Sequence, residues 1–96
     1  MELLTMELEK SIPALYAQEM IKEKRAYVKY FTPDSYWTWY VMEYDPLNKI
    51  FFGLVEGFVK EFGYFTLEEL LTLRGPMGLA IERDLYFEPK PIKDLS

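Results

Sequence analysis

The chain has 96 residues, half of them hydrophobic and 18% aromatic, with 28% charged, a balance too apolar for a disordered tail and suited to one small domain over residues 1–96. It contains no cysteine and no histidine, which excludes disulfides, thiol nucleophiles, cysteine-ligated metals and a Ser–His–Asp triad. A formal net charge of −5 argues against binding naked nucleic acid, because phosphate affinity comes from clustered Lys and Arg.

At the N-terminus, Met1-Glu2-Leu3-Leu4-Thr5-Met6-Glu7 places acids where a signal peptide needs bases. No stretch approaches the roughly 20 apolar residues that span a bilayer, so a cytoplasmic protein with no membrane contact is expected. Thr5 can cap a short helix whose positive first turn favours Glu7 and Glu9, and Pro13 ends or kinks it. Leu3, Leu4, Leu8, Ile12, Leu15 and Tyr16 recur at helical spacing and predict one apolar face laid on the rest of the domain. Lys22-Glu23-Lys24-Arg25 then reads as a solvated connector, with a local anion contact as the sharper alternative.

Ala26 to Thr32 is β-rich, Thr32-Pro33-Asp34-Ser35 is turn chemistry, and Tyr36 to Tyr44 is almost wholly aromatic and β-branched, which predicts a hairpin. Asp45-Pro46-Leu47-Asn48-Lys49 is a second turn, and Ile50 to Val55 a third strand interrupted by Gly53. A fourth strand falls within Phe58 to Phe65. Thr66 and Glu69 stand at capping-box spacing and open a helix over 66–74; Arg74 sits at its negative end, Gly75 is placed for the left-handed C-terminal position, and Pro76 prevents continuation. Ile81 to Phe87 can add a fifth strand, which Glu88-Pro89-Lys90-Pro91 should stop because prolines cannot serve a ladder. The expected fold is α+β: an antiparallel meander of four to five strands, an N-terminal helix and the capped helix 66–74.

The strands carry the most informative pattern. Trp37, Trp39 and Val41 alternate with Thr38, Tyr40 and Met42, while Phe52 and Leu54 share one face and Phe51, Gly53 and Val55 the other. Both faces want cover, and helices bury only one face of a single sheet. The second aromatic face is therefore expected to meet a partner, a ligand or a second copy.

Other constellations are weaker. Pro33-Asp34 with Glu88-Pro89-Lys90 superficially matches the acid and acid-x-Lys layout of metal-dependent nucleases, but Asp34 lies in a turn and Pro89 falls where that motif needs a strand. Glu82-Arg83-Asp84 predicts a structural ion pair, with Arg83 reaching an acid of the 66–74 helix, or anion recognition if Arg83 and Arg74 converge. Lys60-Glu61-Phe62-Gly63-Tyr64-Phe65 echoes base-stacking strands, although the neighbouring acids favour sheet packing. Gly75-Pro76-Met77-Gly78 has the spacing of a GxxG clamp but reads first as a helix terminator.

Taken together, Leu3-Leu4-Thr5, Phe31-Thr32-Pro33, Trp37-Thr38-Trp39-Tyr40, Phe51-Phe52-Gly53-Leu54-Val55, Gly63-Tyr64-Phe65, Leu73-Arg74-Gly75-Pro76, Ile81-Glu82-Arg83-Asp84-Leu85 and Phe87-Glu88-Pro89-Lys90-Pro91 resemble a family of small bacterial proteins classed as a domain of unknown function. Members occur on plasmids, integrative elements and phages. The resemblance covers nearly the whole chain and departs from it at Gln18 to Arg25. It brings no catalytic residues; what it implies is a setting, an accessory protein of a mobile element that counters host defence or tunes transfer.

The leading expectation is a non-enzymatic interaction protein without cofactor, whose aromatic surface around Trp37, Trp39 and Tyr40 binds a host or element-encoded protein or a second copy to form a homodimer. In a variant, its acidic surface imitates nucleic acid toward a basic defence protein. A second expectation is a small-molecule or nucleotide binder that stacks its ligand on Trp39 or Tyr40 and pairs phosphate with Arg74 and Arg83. A third is a magnesium enzyme using Asp34, Glu82, Asp84 or Glu88.

Overall fold

Thr5 starts the first element by accepting a hydrogen bond from the Leu8 amide at 3.1 Å, and Glu7 and Glu9 fill the first turn of α1 (Met6–Ser11). The helix stops there because Pro13 forces Ile12 into extended backbone, with ψ 129°. Leu15 and Tyr16 therefore leave the helical series; Tyr16 takes a left-handed φ of 70° in a run of turns. Leu3 and Ile12 still reach the core, with Leu4 and Leu8 packed against it. The structure is a computed structural model that describes residues 1–95.

Five strands form one antiparallel sheet in the order β5-β4-β3-β2-β6, built from β2 (Val28–Phe31), β3 (Thr38–Asp45), β4 (Ile50–Glu56), β5 (Lys60–Thr66) and β6 (Glu82–Arg83). The first four are the expected meander, and β6 returns to pair with β2. The Asp45 carboxylate shapes the β3–β4 turn by accepting from the Leu47 and Asn48 amides and from the Asn48 side chain. A second sheet pairs β1 (Arg25–Ala26) with β7 (Lys90–Pro91). Lys90-Pro91 is thus a strand rather than a stop. The Ile92 amide bonds the Lys24 carbonyl at 2.8 Å, so alternation leaves Pro91 at a non-bonded position, where its missing N–H orphans nothing.

Between Val41 and Glu43 the register of β3 on β4 shifts, leaving Met42 unopposed. The bulge resets the alternation. Trp39, Val41 and Tyr44 lie over Val55, Gly53 and Phe51 on one face, whereas Tyr40 and Glu43 lie over Leu54 and Phe52 on the other. Gly53 is required at this crossing because a Cβ there would run into the Tyr40 carbonyl.

Both faces are covered, and largely by the chain itself. The first holds the main core: Val28, Tyr30, Trp39, Val41, Tyr44, Phe51 and Phe65, capped by Leu3, Ile12, Ile81 and Leu70 of α2 (Leu67–Thr72). On the second, Ala26, Tyr40 and Leu54 are packed by Phe87, Ile92 and Leu95 of the C-terminal tail. The need for outside cover over the whole second face is thereby reduced to its β5 side. The connector also closes over this face: the buried Glu43 carboxylate accepts the Tyr16 and Gln18 amides at 2.8 Å each, while the Gln18 side chain bonds the Arg25 amide and the Arg25 and Met42 carbonyls. Gln18 is therefore a buried anchor, and of the expected connector Lys22 to Arg25, Lys22 and Glu23 are exposed while Lys24 and Arg25 are half-buried.

At α2 the capping box forms as its spacing predicts, with Thr66 Oγ1 accepting from Glu69 N at 3.0 Å and Glu69 Oε1 from Thr66 N at 3.1 Å. The helix ends at Thr72, two residues short of Arg74, with Leu73 extended. Gly75 does not take the left-handed conformation; that belongs to Gly78, with φ 82°. Among the described residues no helix is long and apolar enough to cross a membrane.

Candidate functional site

The first face runs beyond the core at the end of the sheet where Trp37 enters β3. Trp37 stacks on Trp39 with ring centroids 6.0 Å apart and meets Phe58 edge-on at 5.5 Å; Phe58 in turn meets Tyr36 at 6.2 Å. Trp39 is buried and Trp37 half-buried, while Tyr36 and Phe58 are 62% and 83% exposed, so the row grades from core to solvent. Gly57 makes the row feasible. The Trp37 ring occupies the space in which a Cβ on Gly57 would stand.

Across from the tryptophans lies the 73–81 loop. Between them is a cleft of about 250 Å³ lined by Thr32, Ser35, Trp37, Trp39, Arg74 and Pro76, with Leu73, Gly75 and Ile81 completing the wall. Asp34 ties the loop down. Its Oδ2 accepts from the Met77 amide at 2.8 Å and the Leu79 amide at 3.4 Å, and its Oδ1 is buried without a hydrogen-bond partner among the described residues. Gly75 is glycine because the Asp34 carboxylate fills the position of its Cβ. The Gly75-Pro76-Met77-Gly78 turn, closed by the Gly78 amide on the Gly75 carbonyl at 2.9 Å, thus directs its Met77 amide, and that of Leu79 just beyond it, at a carboxylate of the same chain.

Arg74 supplies the charge of the cleft. Its Nη1 donates to the Leu71 and Leu73 carbonyls at the end of α2, at 3.0 and 2.8 Å, and it forms no ion pair with any carboxylate among the described residues. Arg83 lies elsewhere. It donates to the Leu3 carbonyl at 3.2 Å rather than to an acid of α2, and it lines clefts with Asp84 and Leu85 on the β6 side. Asp84 pairs with Lys29 at 3.8 Å. Burial pushes the Tyr30 hydroxyl far above its ordinary pKa, opposed by the neighbouring Arg83; this hydroxyl donates to the Leu3 carbonyl at 2.7 Å.

Of the five residues singled out from sequence, the structure brings Trp37, Trp39 and Arg74 to one cleft. Tyr40 is on the opposite face, buried against Phe87 at 5.9 Å with Lys29 over its ring, because neighbours in a strand point to opposite sides. Sequence reasoning assigned Tyr36 and Phe58 to strands that begin two residues later, at Thr38 and Lys60, and passed over Ser35 as a turn residue and Asp34 as the same or a weak metal ligand. The signal that could have drawn attention to Tyr36 and Phe58 is their position directly after the turn formers Ser35 and Gly57. No group of three acidic side chains among the described residues could hold a metal ion.

On the second face Phe52 stacks on Phe62 at 6.3 Å and tilts against Tyr64 at 5.0 Å. Phe62 and Tyr64 remain 54% and 57% exposed, so the base-stacking echo in this strand is neither core nor fully covered. A broad groove beside Phe62 is lined by Lys22, Glu23, Lys24, Ile92 and Lys93, with Lys93 paired to Glu23 at 3.2 Å.

No curated protein and no solved structure matches the chain. A family described as a protein of unknown function, DUF2958, matches residues 3–95, almost the whole length, and the chain belongs to this DUF2958 family.

Proposed function

We propose that this domain is a non-enzymatic interaction module, and that the cleft between the Trp37–Trp39 stack and the 73–81 loop receives an apolar side chain of a host or element-encoded protein with an acidic residue beside it. One observation carries the reading: an arginine without a carboxylate partner stands at the rim of an aromatic cleft whose rings continue outward through Phe58 to Tyr36. Aromatic and arginine side chains at the edge of a desolvated pocket are the usual anchors of protein recognition, and a guanidinium fork suits a carboxylate. The exposed rings extend the contact past the cleft, further than a small ligand needs. The work suits an accessory protein of a mobile element acting on a protein of its host.

Display of a random peptide library on the purified domain tests this. Ligands pairing an aromatic or branched aliphatic residue with a nearby Asp or Glu should be enriched, Arg74→Ala should erase the acidic preference, and Trp37→Ala should weaken binding of the selected peptides at least tenfold. Enrichment indifferent to both substitutions, or none, refutes the reading.

The Arg74 position also favours a second reading, a small aromatic anion such as a nucleotide stacked on Trp37. Saturable quenching of tryptophan fluorescence by a nucleotide, lost in Arg74→Ala, would select it over the first.

A further inference from the structure

The two edges of the five-stranded sheet are unlike. On one side β6 is only two residues long, a length that offers little to pair with; on the other β5 runs seven residues and nothing in its centre, Phe62-Gly63-Tyr64, is a proline, a bulge or a charge. The direction of its main-chain groups follows from the bonds that flank its ladder. Leu67 N donates to Lys49 O at 3.1 Å and Gly57 N to Val59 O at 3.0 Å, so odd-numbered residues of β5 face β4 and even-numbered ones face outward. Thr66, the last even residue, has its amide on Glu69. Lys60, Phe62 and Tyr64 are left with amides and carbonyls that meet no partner among the described residues.

We propose that two copies of the chain join through β5, continuing the sheet across a two-fold axis at Gly63. In this register Phe62 of each copy lies opposite Tyr64 of the other, and the two pairs exchange four main-chain hydrogen bonds. Aromatic-Gly-aromatic reads the same in both directions of an antiparallel pair, so all four rings gather on the second face, next to Phe52. Gly63 has nothing within 4 Å of the position of a Cβ, so the axis passes through open space. The ends are complementary in charge: Lys60, an exposed cation that now meets Glu56 at 3.3 Å, comes opposite Thr66 of the second copy, whose amide carries the Glu69 carboxylate. The cleft of the first face stays open in such a dimer, so this interface stands independently of the function proposed above.

Light scattering behind size-exclusion chromatography over a dilution series tests the proposal. The wild type should show twice the 11.5 kDa mass of the chain when concentrated and dissociate on dilution. The pair Phe62→Glu with Tyr64→Glu sets acids opposite acids and should give the single-chain mass with an unchanged far-UV spectrum. Phe62→Lys with Tyr64→Glu sets opposite charges across the axis in this register alone and should restore the doubled mass. A wild type that is monomeric throughout, leaving the edge for a strand of another protein, overturns the proposal. So does a dimer that survives the acidic pair, or a folded charge-swap variant that stays monomeric.

Discussion

Gly57→Ala isolates the packing that shapes the cleft. A glycine outside the left-handed region, as Gly57 is, normally gains about 0.4–1 kcal/mol of stability on replacement by alanine, because the unfolded chain loses freedom. Here the opposite sign is expected. The added Cβ would stand within the Trp37 ring, overlapping Cζ3, Cη2 and Cε3, and an ordinary carbon–carbon separation of about 3.5–4.0 Å requires the ring to retreat by more than an ångström. That retreat disturbs the contacts with Trp39 and Phe58, each worth about 0.5–1.5 kcal/mol. With Trp37 half-exposed the lower part of the range applies, about 1–2 kcal/mol for the two contacts; set against the gain from alanine, the net loss is about 0.5–1 kcal/mol, a fall in Tm of roughly 2–8 °C for a domain of this size. Urea unfolding with tryptophan fluorescence reads stability and ring environment together. A cycle with Trp37→Ala supplies the control: once the ring is gone, Gly57→Ala should be neutral or stabilising. A stable Gly57→Ala variant with the wild-type emission spectrum, or the same loss in the Trp37→Ala background, refutes the reasoning.

Three further perturbations follow from the polar anchors. Asp34→Ala removes the acceptor of the Met77 and Leu79 amides and should speed hydrogen exchange at both about fivefold or more, the local loss being about 1–3 kcal/mol; unchanged exchange would show that the turn holds itself. Glu43→Ala strands the Tyr16 and Gln18 amides and should open residues 14–24 to protease before the sheet unfolds, as mass spectrometry of the first cleavage products would show. The alkaline limb of stability should depend on Tyr30. Its pKa is raised by burial, so above about pH 10 the unfolded chain gives up a proton that the folded chain keeps, and stability falls by up to about 1.4 kcal/mol per pH unit. Tyr30→Phe should lose about 1 kcal/mol at neutral pH with the Leu3 bond and show a flatter alkaline fall in its urea midpoints.

Features decided by neighbouring residues were legible in the sequence: the Thr66–Glu69 capping box, the Asp45 turn, the start of α1 at Thr5 and the meander itself. Features decided across the fold were not. Nothing in Tyr36 to Tyr44 says that Met42 is the extra residue, because every neighbour is large and apolar enough for either face, and the separation of Tyr40 from the two tryptophans by strand alternation was clearer than the cover its own tail would provide. Gly57 and Gly75 carry no local sign that a ring and a carboxylate fill their missing side chains. Lys90-Pro91 reads as a stop unless the phase of its ladder is known. Glu43 did leave a trace: a carboxylate amid Val41, Met42 and Tyr44 demands internal donors, although the sequence does not say that they come from residues 16 and 18.

The bulge at Met42 makes the central strand tolerant of one kind of change and intolerant of another. Exchanges of one large apolar side chain for another leave the two faces in place. Deleting one residue between Val41 and Glu43 would restore plain alternation and turn everything on one side of the cut over, taking Glu43 away from the connector amides or Trp39 out of the cleft. In a lineage of such proteins, length between these two positions should therefore vary less than residue type, and a gap there would mark a chain whose two surfaces have traded places.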